Sequence, residues 1–315
     1  MHERFDRHLT TSLTQGNSRP TPGATLFPMD NDRTITGRFL DLPGRGRTWV
    51  YEAGTSHQGK VPTVVLVHGS PGASICSWMP TMQLLARDFH VVAMDIRGHG
   101  RGIRPARGFE AEPFSLEACA DDLAAALGEL RIGRAIIAAY SIGGPIAQLF
   151  WKHHPQMTQA LVFIATAMHL TPAIPHAFAS PFRHGGATDR GAHPEAPMPS
   201  PPGIPTRFSE VVHTDPLAAL QADAALADFD SSVWLSSVNV PTSVVVTTHD
   251  RSVAPETQRA LARALGTHDI REVPSRLGHL SLPLGNPTML QSTVDACHAM
   301  ADMHGPTPPP GKGLN

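Results

Sequence analysis

Ser141 is the residue whose surroundings point most directly to chemistry. It lies in Ala139-Tyr140-Ser141-Ile142-Gly143-Gly144, directly after an apolar run at 135–139 and directly before a segment with helical patterning at 145–154. A serine on a sharp strand-to-helix turn projects its Oγ away from the backbone, where it can attack an electrophile. The residues two before and two after it must be small, because the helix packs back close to the strand. Ala139 and Gly143 meet that requirement, although Ala139 stands where glycine is usual and adds one methyl. The pattern by itself carries little weight, since residues 72–76 (GASIC) nearly repeat it. On local pattern alone, a buried polar serine or a loop cap would read the same. The strand–turn–helix context sets Ser141 apart.

A hydroxyl needs a base, and the base needs a carboxylate to orient it. Both types follow in the chain order serine, acid, histidine. Asp250 closes residues 244–250 (VVVTTHD), at the C-terminal end of an apolar run, where sites form in open α/β sheets. His279 comes after a weaker run at 270–273. One helix and one strand separate the two, so adjacent loops can bring them together. Gly278 allows the backbone to bend where the imidazole must reach back to Ser141. The plainer readings are a cap for the helix that opens at Pro255 and an ordinary loop histidine. An oxyanion needs backbone donors as well. The candidates are the N–H of Ile142, next after the serine, and that of Ser70 in His68-Gly69-Ser70-Pro71-Gly72, which follows the run TVVLV at 63–67. His68 reads as structural, tying this loop down.

These residues need a scaffold, and the apolar runs supply its outline. Two short strands, 38–42 and 48–52, flank the turn at 43–46. Continuous β-branched runs at 63–67, 91–94, 135–139, 161–164 and 243–246 suit strands buried on both faces. Helical patterns alternate with them. Ser115 can cap a helix over 116–130 whose apolar positions are Leu116, Cys119, Leu123, Ala126, Leu127 and Leu130. Further helices are expected at 145–154, 255–265 and 286–300. The alternation predicts an α/β fold, a mostly parallel sheet with helices on both faces. It breaks between about 168 and 234, which reads as an insertion, part helix and part loop. The expected organisation is a flexible arm over 1–35, a first core part over 36–167, a cap or lid over 168–234, a second core part over 235–303 and a disordered tail over 304–315.

Composition narrows the partners. Across 315 residues, Lys and Arg (25) nearly balance Asp and Glu (27), so there is neither a nucleic-acid footprint nor a polybasic membrane signal. No apolar stretch predicts a secretory leader or an integral membrane segment. Three widely spaced cysteines, Cys76, Cys119 and Cys297, form no CxxC pair, which points to a reducing compartment and a cytoplasmic setting. The 18 histidines are scattered with no HExxH, and no GxGxxG is present, so neither a metal nor another cofactor is expected. A small-molecule substrate is the expected partner. Oligomeric state is not legible.

Taken together, LVHGSPG (66–72), AMDIRGHGRG (93–102), AYSIGG (139–144), VVVTTHD (244–250) and LGH (277–279) resemble the α/β-hydrolase fold superfamily, in the family's order and over about residues 38–302. The resemblance implies about eight strands and a cap between the sixth and seventh, where the 168–234 insertion falls. It also implies that Asp95 and His99 belong to a structural segment. Haloalkane dehalogenases and many epoxide hydrolases of this superfamily carry aspartate at the elbow, and Ser141 does not match them. Proline iminopeptidases typically carry tryptophan after the serine, and Ile142 does not match them either. The function implied is a serine hydrolase with a Ser141–His279–Asp250 triad, cleaving a carboxylic ester with an apolar acyl or alcohol part. Choice of substrate is expected to reside in the cap and in the loop 72–79. The apolar stretches 173–182 and 217–234 either line an acyl pocket or pack the cap on the core. Hydrolysis of a C–C bond, lactone or thioester uses the same residues, as does cofactor-free perhydrolase or haloperoxidase chemistry. A catalytically inactive binding protein on the same scaffold is the alternative of a different class.

Overall fold

The computed structural model describes residues 34–104, 114–169 and 214–303. The stretch 1–33, the insertion between 170 and 213 with its apolar 173–182 segment, and the tail from 304 lie outside the described residues. β1 (Thr36–Leu42) and β2 (Gly46–Ala53) form an antiparallel hairpin. β2 then pairs antiparallel with β4 (His90–Met94). The remaining neighbours are parallel: β3 (Thr63–Val67), β5 (Ala135–Tyr140), β6 (Thr158–Ile164), β7 (Thr242–Thr247) and β8 (Asp269–Val273) complete an eight-stranded sheet in the order β1-β2-β4-β3-β5-β6-β7-β8.

The burial of each strand explains how clearly its sequence announces it. Every residue of β3, β4, β5, β6 and β7 is buried, which is why these strands read as unbroken apolar runs. Along β3 the side chains alternate between the two faces: Val64 and Leu66 enter one core, Val65 and Val67 the other. β8 closes the edge with Asp269, Arg271 and Glu272 still partly or fully exposed, so its signal in the sequence is weaker.

Five of the six α-helices among the described residues pack on the two faces of the sheet. α1 (Ser74–Leu85) and α6 (Pro287–Asp302) pack on one face. α2 (Leu116–Glu129), α3 (Gly143–His153) and α5 (Pro255–Leu265) pack on the other. Local chemistry fixes their ends. Ser115 Oγ accepts from Ala118 N at 3.0 Å, and Asn286 Oδ1 accepts from Met289 N at 3.0 Å. Each such cap contributes about 1 kcal/mol. Pro255 and Pro287 open their helices, where a missing N–H costs nothing, and Gly266 ends α5 in the left-handed region at φ 65°.

The chain from 74 onward corrects the sequence expectation. The stretch 72–79 is a loop only at its start; from Ser74 it is the first turns of α1. The helix has no side-chain cap of its own and carries Pro80 in its interior, two features that hide it from local pattern. Its N-terminus is capped from elsewhere in the chain, Ser74 N donating to Asp95 Oδ1 at 2.7 Å.

Of the insertion, residues 168–169 and 214–234 are described. They contain α4 (Pro216–Asp228), capped by Asp215, and a bridge between His169 and Asp230. Ala222 and Leu226 enter the core, Phe229 and Trp234 pack against it, and Trp234 stacks on Trp151 of α3 with ring centroids 6.3 Å apart. Within 217–234, therefore, these side chains serve packing, whereas Leu217, Leu220 and Val233 are exposed. No helix among the described residues is long and apolar enough to cross a membrane.

Candidate active site

The topology brings two loops together before any side chain is considered. β3 and β5 are parallel neighbours, with Val67 opposite Ala139. The chain passes outward from β3 to β4 and then crosses back to β5, and crevices form where the direction of winding reverses in this way. The segments after Val67 and after Tyr140 leave the sheet side by side.

Ser141 takes the turn with φ at 56°, a left-handed conformation that non-glycine residues rarely adopt. Three hydrogen bonds hold it there. Ser141 N donates to Ile164 O at 3.1 Å, and its carbonyl accepts from Gly144 N at 2.9 Å and from Thr166 Oγ1 at 2.7 Å. The small residues have a direct cause. A Cβ on Gly143 would lie 2.6 Å from Val67 O, and one on Gly144 would lie 2.0 Å from Thr166 Oγ1. Ala139, in contrast, is fully buried in the sheet with its methyl accommodated.

His279 Nε2 lies 2.8 Å from Ser141 Oγ, and His279 Nδ1 lies 2.8 Å from Asp250 Oδ2. An ionised Asp250 only accepts, so Nδ1 carries the hydrogen and Nε2 is left to accept from the serine. His279 sits in a short 3-10 turn, Gly278–Ser281. Gly278 has φ 52°, and a side chain there would meet His249 O at 2.6 Å. Asp250 is buried. Its Oδ1 accepts from Ser252 N at 2.8 Å and Val253 N at 2.9 Å; its Oδ2 accepts from Thr247 Oγ1 at 2.8 Å and Gln258 Nε2 at 3.2 Å. Burial pushes the carboxyl up, but its bond to His279, the charge of that imidazole and the Val253 and Thr247 donors outweigh burial and hold it below the usual carboxylate range. It therefore stays ionised facing His279.

The loop after β3 lies against the same serine. A side chain on Gly69 would come 3.1 Å from Ser141 Cβ and 2.8 Å from Tyr140 Cε1. Two buried histidines brace this loop. His68 Nδ1 donates to Gly69 O at 2.7 Å, while its Nε2 accepts from Ile96 N at 3.0 Å. His99 Nδ1 donates to Arg97 O at 3.0 Å, and its Nε2 accepts from Ser70 Oγ at 2.8 Å. Each ring has one donor and one acceptor in use, which requires it to be neutral. Burial pulls His68 down to about 4, and burial is also the main cause that pulls His99 down to about 3. The Ser70 hydroxyl is thus committed to His99, which leaves the backbone N–H as the group Ser70 can offer an oxyanion. Ile142, the other expected donor, is buried just before α3.

Tyr140, Thr166, Thr247 and Gln258 shape the site without having stood out in the sequence. Gln258 carried a readable signal: it falls on the apolar stripe of α5 with Leu261 and Ala262, a buried amide among aliphatic neighbours. Tyr140 and Thr166 carried none, because their roles depend on strands distant in sequence. Among the described residues, no group of three or more His, Cys, Asp or Glu side chains is placed to hold a metal ion.

Comparison with known proteins agrees with this architecture. A family model for the alpha/beta hydrolase fold matches residues 62–194. Epoxide hydrolase 4 of Mus musculus is 28% identical over 148 residues, 47% of this chain and 38% of that protein. An esterase from Thermogutta terrifontis superposes with TM-score 0.64 at 21% identity, covering 84% of this chain and 99% of that one. The enol-lactonase from Burkholderia xenovorans LB400 gives TM-score 0.62 at 22% identity, over 82% and 98%. The chain spans about a third of the length of the curated relatives it matches.

Proposed function

We propose that this chain, which has the alpha/beta hydrolase fold and matches that family's model over residues 62–194, is a serine hydrolase cleaving a carboxylic ester with an apolar part. The observation that carries this reading is the continuous path from Ser141 Oγ through His279 to Asp250, two contacts of 2.8 Å each, at a serine held with positive φ. His279 Nε2 takes the Ser141 proton as Oγ attacks the ester carbonyl. The oxyanion forms against the N–H groups of Ile142 and Ser70. Asp250 keeps the proton on Nδ1 and supports the imidazolium. The imidazolium then protonates the departing alcohol, leaving an acyl group on Ser141. Water, deprotonated by His279, releases the acid.

Serine at position 141 argues against the alkyl-enzyme route of hydrolases with an elbow aspartate. No cofactor enters these steps. Substrate choice is assigned to the insertion 168–234 and to residues 72–79. The three free cysteines, all buried, accord with a cytoplasmic setting.

The test combines a fluorophosphonate probe with a panel of p-nitrophenyl esters and lactones. The proposal expects an adduct on Ser141 and a loss on the order of 10⁴-fold or more in ester turnover for Ser141→Ala. Wild-type turnover by Ser141→Ala would end it. Hydrolysis of lactones alone would move the substrate class to cyclic esters and leave the residue roles standing.

A further inference from the structure

Tyr140 is the last residue of β5 and directly precedes Ser141. Its phenol is buried, and its hydroxyl donates to the main-chain carbonyl of His279 at 2.7 Å, across 139 residues of sequence. Its ring lies 5.2 Å from the His279 ring, tilted by 32°. The edge of Trp78 meets it at 6.5 Å, and Gly69 is without a side chain where Tyr140 Cε1 passes. One side chain thus touches the nucleophile's strand, the base's loop and the oxyanion loop.

We propose that Tyr140 is a positioning residue for the His279 imidazole, holding the turn that carries the base in register with the strand that carries the nucleophile. The proposal rests on the assignment of Ser141, His279 and Asp250 above. The physical need for it lies in Gly278, whose left-handed φ gives the 278–281 turn a pivot next to the histidine. Asp250 grips the ring at Nδ1. The phenol fixes the main-chain carbonyl of the same residue, so position and tilt of the ring are set from the side chain and from the backbone. Burial, with the Asp250 charge, holds the phenol well above its ordinary range, and it remains a donor.

Tyr140→Phe removes the hydroxyl and keeps the ring. Displacing a reacting group by around an ångström costs about 100-fold in rate. The expectation is a fall of about 10- to 100-fold in kcat on a p-nitrophenyl ester, with KM within about twofold, and an equal slowing of fluorophosphonate labelling at Ser141. The downfield proton resonance of His279 Nδ1–H should shift or broaden. Thr293→Val is the control. It deletes a buried hydroxyl that bonds Met289 O at 2.9 Å within α6 and should lower the melting temperature without changing kcat. The proposal is overturned if Tyr140→Phe keeps kcat within twofold of wild type, or if Thr293→Val loses kcat to the same extent. Full turnover by Ser141→Ala would instead sink the underlying assignment, and the two failures are separate readings of one experiment.

Discussion

Two aspartate–histidine clusters sit at C-terminal ends of strands in the same sheet, one after β4 and one after β7. In the first, Asp95 is fully buried and spends its oxygens on backbone donors, Ser74 N at 2.7 Å and Arg101 N at 2.9 Å. Burial raises its carboxyl against those two bonds. Its histidine neighbours, His68 and His99, have both ring nitrogens in use. In the second, Asp250 also feeds two backbone N–H groups, but through Oδ1 alone; Oδ2 faces His279. His279 and His99 each meet a serine hydroxyl through Nε2, but the Nδ1 of His279 faces a carboxylate, whereas that of His99 faces the Arg97 backbone carbonyl. Residue types are similar, but His279 is half-buried where His68 and His99 are fully buried. What also differs is whether the imidazole that meets the hydroxyl is backed by a carboxylate, and whether the serine stands on a left-handed turn, as Ser141 does. On the proposed function, the β4 cluster serves as a brace and the β7 cluster as a proton path.

Exchanging amide for acid separates the two most sharply. Asp250→Asn should lower kcat about 10³- to 10⁴-fold, by favouring the wrong imidazole tautomer, with only a modest change in melting temperature. Asp95→Asn should do the reverse. An amide offers one acceptor where two N–H groups need one each, so unfolding in urea should show a loss of about 1–3 kcal/mol, while the folded fraction keeps kcat within a few-fold. Equal kinetic losses in both variants would erase the distinction.

Acid titration is the next test. His68 and His99 are neutral when folded, with affinities for protons depressed to about 4 and about 3, and titrate near 6.5 when unfolded. Below pH 6.5 the unfolded chain binds protons that the folded chain refuses, so stability falls as pH drops from about 6.5 toward 4. For His68 alone the full loss is on the order of 3 kcal/mol. Asp250 adds to it at lower pH: its depressed carboxyl contributes stability present above about pH 4 and lost as pH falls through the folded value. Urea midpoints at pH 7, 5.5 and 4.5 should decline in step, and a flat profile would show the brace to be dispensable.

Smaller effects refine the comparison. His99→Gln removes the partner of the Ser70 hydroxyl and should lower kcat about tenfold through a looser oxyanion loop, well short of the loss at Asp250. Ala139→Gly should leave kcat within about twofold and cost about 1 kcal/mol or less, because it deletes a methyl the sheet already accommodates.

The parts of this architecture that announce themselves in sequence are those whose physics is local. β3 and β7 are buried on both faces, so five or six consecutive apolar or small residues mark them. Ser115 and Asn286 cap their helices within three residues. The sharp turn at Ser141 needs Gly143 and Gly144 beside it, and both are visible. α1 was hidden because its cap is Asp95, 21 residues away, and because Pro80 interrupts its pattern. The supporting shell of the site was hidden for the same reason: Tyr140 finds its partner 139 residues on, and Thr166 finds its own 25 residues back. Nothing in a local window distinguishes such a tyrosine or threonine from an ordinary strand or loop residue.

The stacked Trp151–Trp234 pair has a practical consequence. With centroids 6.3 Å apart and planes within 11°, the two indoles are close enough for their electronic transitions to couple. The chain has only four tryptophans, so far-ultraviolet circular dichroism, where the strongest indole transition lies, should carry an exciton contribution from this pair. That signal reports whether the C-terminal root of the insertion stays docked on α3, and it can be followed during turnover without a label.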